Sequence, residues 1–356
     1  MSERHSGLRR RDFIKFMGLG IASAAGVTSL MGKEPGQTAQ QYEKLAHHFG
    51  PGELYERIAP PARVSLVKGS DRRDIVFRSL KMIEDEVLAS IKDKTILLKP
   101  NVVLMDNPLS VTHVDAVRAV LDFLTPHYKK QIIIGEAGHH NTTDGYKNNG
   151  YFELEKEYNV KLVDLNQESY QYRYVISKDN RPIPIRIINT FLDPKIYIIS
   201  LARMKTHNYV FVTLSLKNVL LAAPVKDAKQ NDKGLMHTAP PAKNDLCHYN
   251  MFQLAQEVYP ELAVIDGFEG MEGNGPAWGT PISSKVALAS LDPLAADIMA
   301  TRVMGFDPKT INYLAAMAEA GMGQGEDGKI RILGTPLSQC ICQYKPNEIM
   351  AECYKL

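Results

Sequence analysis

TILLKPNVVLMDNPLSVTHVDAVRAVLDFLTPHYKKQIII, residues 95–134, decides the fold class. Thr95 to Leu98 is a short apolar run that reads as a strand, Val114 to Leu124 repeats its apolar residues at helical spacing, and Gln131 to Ile134 reads as a second strand. Strand, helix and strand in that order build a parallel pair with its crossover. The rhythm extends both ways. Val64 to Val67 (strand) and Ile75 to Ile91 (amphipathic helix) precede this unit, and Tyr151 to Tyr158 (helix) and Val160 to Val163 (strand) follow it. Beyond a hairpin of Tyr172 to Ile176 and Ile183 to Ile188, a second series holds the strand Ile196 to Ser200, the helix Met251 to Val258, the strands Leu262 to Ile265 and Val286 to Ala289, and the helix Leu294 to Met304. The expectation is an α/β protein with a mostly parallel sheet or sheets and helices on both faces. Its two lobes, about 63–190 and 191–335, would flank a cleft. The sequence contains no internal repeat or low-complexity segment.

The chain on either side of this body is of a different kind. Arg9-Arg10-Arg11-Asp12-Phe13-Ile14-Lys15 precedes an uncharged, Gly- and Ala-rich run from Phe16 to Met31, and the two together resemble a twin-arginine export signal over residues 1–32. The run is shorter than the ~20 apolar residues a membrane-spanning helix needs. The implied location is the periplasm or another exported compartment, the implied partner is the twin-arginine machinery, and the only membrane contact would be an uncleaved signal. Residues 33–62, with Pro35-Gly36, Gly50-Pro51-Gly52 and Pro60-Pro61, read as a linker, and 336–356 as a tail. The chain carries 42 Lys and Arg against 40 Asp and Glu; without residues 1–33 the balance is 36 against 38. Its slight basicity is therefore a targeting feature, which argues against a nucleic-acid surface. Four cysteines, Cys247, Cys340, Cys342 and Cys353, are too few for a disulfide scaffold. Cys340-Ile341-Cys342 lacks the second pair an iron–sulfur cluster wants, so inert or disulfide-bonded cysteines are expected.

Ligands of open α/β sheets bind beyond the carboxyl ends of the strands. Polar clusters follow four of the strands: Lys99-Pro100-Asn101; Gly135 to Thr143 with His139 and His140; the stretch RMKTHNYVFVTLSLKN from Arg203 to Asn218; and Asp266 to Pro276, with Asp266, Glu269 and Glu272. In a parallel sheet all four gather on one edge. Ionisable groups set among buried apolar residues are costly unless they hold a partner, a metal or a substrate, which makes Lys205, His207, Lys217 and Asn218 site candidates. Each has a plainer reading: a surface histidine for His139 or His140, a snorkelling lysine for Lys217, a cap for Asn218 or Asp292.

Taken together, Lys99-Pro100-Asn101, Met204-Lys205-Thr206-His207, Thr213 to Asn218, His248-Tyr249-Asn250, Ile265-Asp266-Gly267, Met271 to Pro276 and Ser290 to Asp297 resemble the family catalogued as domain of unknown function 362. The resemblance covers roughly residues 95–335. Members of that family often carry ferredoxin-like cysteine repeats, which are missing here. Ile132 to Thr143, and His207 followed ten positions later by Lys217, also look like the corresponding segments of nickel-pincer lactate racemases. That likeness would make His140 (or His139) and His207 an acid/base pair, Lys217 the cofactor attachment and His237 or His248 the metal ligand. The chain departs from it in lacking the glycines that normally surround the lysine.

Histidine changes charge nearest neutral pH and suits proton transfer, and it is also the commonest ligand for zinc, nickel or copper. His140, His207 and Lys205 are accordingly the catalytic candidates; Lys217, Asn218, Lys99 and Asn101 would bind an anionic substrate or cofactor; His237, His248, Asp266 and Glu272 could complete a metal site for nickel, zinc or iron. No phosphate-loop or dinucleotide glycine fingerprint occurs, which argues against nucleotide hydrolysis and NAD chemistry. Three classes stay open: an exported enzyme acting on a small anionic or hydroxylated substrate by His/Lys acid–base chemistry, racemase- or epimerase-like, with a metal or metal-organic cofactor; a periplasmic binding or cofactor-carrying accessory protein; and a redox protein using Cys340 and Cys342.

Overall fold

Alternation along Thr95–Lys99 sets the layers: Ile96 and Leu98 pack into one hydrophobic cluster and Leu97 into another, so the strand is covered on both faces, as a parallel sheet requires. The structure, a computed structural model, describes residues 59–237 and 245–354; the export-signal reading and most of the linker lie outside the described residues. The strands are β1 (Ala62–Lys68), β2 (Thr95–Lys99), β3 (Ile132–Glu136), β4 (Val160–Asp164), β5 (Tyr170–Ile176), β6 (Pro182–Ile188), β7 (Ile196–His207), β8 (Phe211–Thr213), β9 (Leu262–Glu272), β10 (Thr280–Ile282), β11 (Val286–Ser290) and β12 (Ile330–Gly334). One sheet runs in the order β12-β1-β11-β9-β7-β2-β3-β4, with β8 beside β7 and β10 beside β9, while β5 and β6 form a separate hairpin.

The neighbours β9, β7, β2, β3 and β4 run parallel, as do β1 and β12. β11 is antiparallel to both β1 and β9, so the sheet is mostly parallel but mixed. Strands from both sides of residue 190 share it. The helices Arg72–Lys81, Glu84–Ile91 and Val114–Leu124 cover one face, and Ser215–Leu220, Asp245–Leu254, Pro293–Val303 and Asn312–Glu319 the other. The α/β class with helices on both faces is what the strand–helix rhythm predicts.

Several boundaries differ for identifiable reasons. The helix expected over Ile75 to Ile91 is two, Arg72–Lys81 capped by Asp71 and Glu84–Ile91 restarting on three acids in its first turn, where they favour the positive end of the helix dipole. β7 and β9 run far beyond the expected Ser200 and Ile265, because their charged residues find partners inside the fold. Asp292 caps Pro293–Val303 by accepting from Ala295 N at 2.9 Å, with the proline in the first turn.

Candidate active site

The carboxyl ends of β2, β3 and β7 meet as expected, and a network of buried amides and ammonium groups joins them. Lys99, fully buried, donates to Glu136 Oε1 at 2.6 Å, Asn218 Oδ1 at 2.9 Å and the Pro100 carbonyl at 2.6 Å. Glu136 also accepts from the backbone N–H groups of Val102 and Ala137. Asn218 is fully committed: its Nδ2 donates to the Lys99 carbonyl and Ser200 Oγ, and its Oδ1 accepts from Lys99 and from Asn101 Nδ2. Lys205 donates to Asn101 Oδ1 at 2.6 Å and to the Ser110 carbonyl at 2.7 Å. Neither acceptor is charged, and burial, with Lys217 nearby, pushes the Lys205 ammonium well below its ordinary value.

Lys217 stands on the helix Ser215–Leu220, whose start is held by Asp297: Ser215 N and Leu216 N donate to its carboxyl oxygens at 2.8 and 2.9 Å. The side chain is 9% exposed and no hydrogen bond or ion pair holds its Nζ among the described residues, so burial outweighs the favourable influence of Cys247 and Glu136 on its charge. Burial lowers it from 10.5 to about 8. Lys233 is treated similarly, lowered to about 7 by burial while its Nζ donates to the carbonyls of Ala222 and Pro224.

His207, at the end of β7, accepts from Tyr209 N through Nδ1 at 2.9 Å, so its neutral ring carries the proton on Nε2. His237 places Nδ1 2.9 Å from the Lys233 carbonyl, an acceptor only, so its proton sits on Nδ1 and Nε2 keeps a lone pair. The two rings are 6.3 Å apart and inclined by 21°. Burial and then the Lys217 charge hold His237 down at about 4 and His207 well below 6.5, so both are neutral at neutral pH.

These groups open on a cleft of about 720 Å³. Asn101, Glu136, Lys217 and Asn218 line its floor, His207, His237 and Lys233 one wall, His139 and His140 its rim, and the loop Asn274 to Trp278 with Asn347 to Ile349 its mouth. A second hollow of about 560 Å³ adjoins at His139 and His140 and reaches Asp164 and Lys226.

The structure thus brings His140, His207, Lys217, Asn218, Asn101 and His237 to one cleft. Lys99 and Lys205 lie beneath it and hold Asn218 and Asn101 in place. The remaining metal candidates are not gathered. His248 is buried on Asp245–Leu254, where its Nδ1 accepts from Tyr313 N at 3.1 Å. Asp266 pairs with Arg72 at 3.1 Å, and Glu272 accepts from Lys345 N at 2.8 Å. The reason is that β9 continues through Glu272, so the expected acidic loop is strand, and Glu269 is taken by Arg203. Among the described residues no three or more His, Cys, Asp or Glu side chains form a set that could hold a metal ion. Cys247, Cys340 and Cys342 form no disulfide, and none of them lines the cleft. Glu136, Lys233, Asp297 and Trp278 were outside the sequence candidates; only Glu136, at the end of β3, carried the strand-end signal that marked the others.

The model of the family described as Domain of unknown function (DUF362) matches residues 96–302, more than half of the chain, and the protein belongs to that family. It is 25% identical over 229 residues to a thylakoid-associated protein of Synechocystis sp., covering 64% of this chain and 68% of that one. Among solved structures it is similar to the lactate racemase apoprotein from Thermoanaerobacterium thermosaccharolyticum (13% identity, TM-score 0.41, 71% of this chain) and to a Thermotoga maritima protein (10% identity, TM-score 0.38, 66% of this chain). The chain spans 58% and 59% of the lengths of those two proteins. No helix of the described residues is long and apolar enough to cross a membrane.

Proposed function

We propose that the cleft is the active site of an exported enzyme that moves protons on a small anionic or hydroxylated substrate, as a racemase or epimerase does. The observation that carries this reading is the histidine pair beside an amine on the same cleft: His207 offers an N–H on Nε2, His237 a lone pair on Nε2, and the Lys217 amine lines the cleft with them. His237 Nε2 can take a proton as a general base, and the His207 Nε2–H can donate a hydrogen bond to the oxyanion that the loss of that proton creates. Protonated Lys217 attracts the substrate anion, and Asn101 and Asn218 set the floor on which it rests. His140, on the rim, is the alternative proton carrier. Export by the twin-arginine route rests on residues 9–31 and accords with the name of the thylakoid-associated relative.

A bare metal ion fits poorly, because no set of its donors is assembled among the described residues. A metal-organic group that brings its own donors would be held by the Lys217 amine and by His237 Nε2, which line the same cleft. It would supply hydride acceptance, leaving proton transfer to His207 and His140.

The test is solvent exchange. The full chain is incubated in heavy water with a panel of α-hydroxy acids, and loss of the α-proton is followed by NMR. Exchange that falls by about 10²–10⁴ in His207→Gln supports the reading. Saturable binding without exchange for any acid would move the protein to the binding or accessory class.

A further inference from the structure

Trp278, the single tryptophan of the chain, is 80% exposed, yet it lines the mouth of the cleft. Its loop is pinned from several sides. Trp278 N donates to the Asn274 carbonyl at 3.1 Å, Asn107 Nδ2 to the Ala277 carbonyl at 2.6 Å, and Asn347 Nδ2 to the Gly275 carbonyl at 3.2 Å. Gly275 lies so close to the Thr206 carbonyl that any Cβ there would collide with it. The backbone therefore holds a large apolar ring in water at the entrance to a site whose floor is polar and cationic.

We propose, building on the active-site reading, that Trp278 is a stacking platform and that the ligand is an aromatic carboxylic acid, its anionic end directed to Lys217 and its ring on the indole. A cleft of about 720 Å³ is within the range that takes ligands much larger than a three-carbon acid. Leu104, Pro276 and Ile349 continue the apolar rim. The amides at the mouth face one another, Asn274 Oδ1 lying 3.5 Å from Asn347 Nδ2 and 3.4 Å from Glu348 N, which leaves fewer partners for the hydroxyls of a sugar. A planar apolar ring asks for no such partners, and aromatic pairs gain from offset or edge-to-face stacking beyond the area they bury.

Because the chain has one tryptophan, emission excited on the red side of tyrosine absorption reports this residue alone. Phenyllactate, gluconate and lactate are titrated into the full chain, with calorimetry on the wild type, Trp278→Ala and Lys217→Met. Phenyllactate is expected to change the emission saturably, and Trp278→Ala to lower the preference for phenyllactate over lactate about 3- to 10-fold, with Trp278→Phe restoring part of it. Lys217→Met should weaken all the acids that bind. An equal preference in wild type and Trp278→Ala, or gluconate bound as tightly as phenyllactate, overturns the platform while leaving the active-site reading in place. Acids that bind regardless of Lys217 sink that reading instead, and if no acid binds, both fall.

Discussion

Replacing Lys217 by methionine removes the amine while nearly keeping the side chain's length, and it should stabilise the protein. Folding takes this ammonium from a value of 10.5 to about 8, because burial outweighs the nearby groups that favour its charge. At 1.36 kcal/mol for each unit of pH, the protonated lysine costs about 3 kcal/mol to fold below pH 8. Between pH 8 and 10.5 the unfolded chain binds the proton more tightly than the folded one, so wild-type stability rises through this window and the penalty fades. Lys217→Met should therefore gain about 2–3 kcal/mol at pH 7, a gain that shrinks steadily from pH 8 and is lost by about pH 10.5. Urea unfolding followed by circular dichroism, run on both proteins at intervals from pH 6 to 10.5, measures the difference directly. No gain at pH 7, or a gain that does not change with pH, would refute the claim that burial penalises the charged amine.

Other consequences follow from the network below the cleft. Glu136→Gln leaves the Lys99 ammonium buried without its carboxylate and should cost about 3–5 kcal/mol in urea unfolding. Asp297→Ala strips the acceptor from Ser215 N and Leu216 N, with an expected loss of about 2–4 kcal/mol and faster hydrogen exchange at those two amides. Gly275→Ala should lower the melting temperature and shift Trp278 emission, because its Cβ meets the Thr206 backbone rather than a side chain that could move aside.

The sheet was legible because its strands are buried on both faces and read as continuous apolar runs, so Thr95 to Leu98 and Gln131 to Ile134 stand out without context. β11 shows the limit. Val286 to Ala289 has the same composition, and nothing in its side chains reports that it runs antiparallel between β9 and β1. Lys205 and His207 read as residues past a strand end because charge usually marks one; here Asn101 and the Ser110 carbonyl, about 100 positions earlier, satisfy Lys205 inside the strand. Asp266 and Glu272 drew attention as an acidic loop, and their partners Arg72 and Lys345 N are too remote in sequence to be foreseen. Trp278 was invisible for the opposite reason, since exposure is a property of the fold and a lone tryptophan more often reads as core.

The opposed tautomers of His207 and His237 are read by NMR of the ring nitrogens in histidine-labelled protein. At pH 7 His207, assigned through His207→Gln, is expected to be neutral with its proton on Nε2 and His237 neutral with its proton on Nδ1, and an α-hydroxy acid to perturb both. The same tautomer on both rings, or a charged His207 at pH 7, would contradict this expectation.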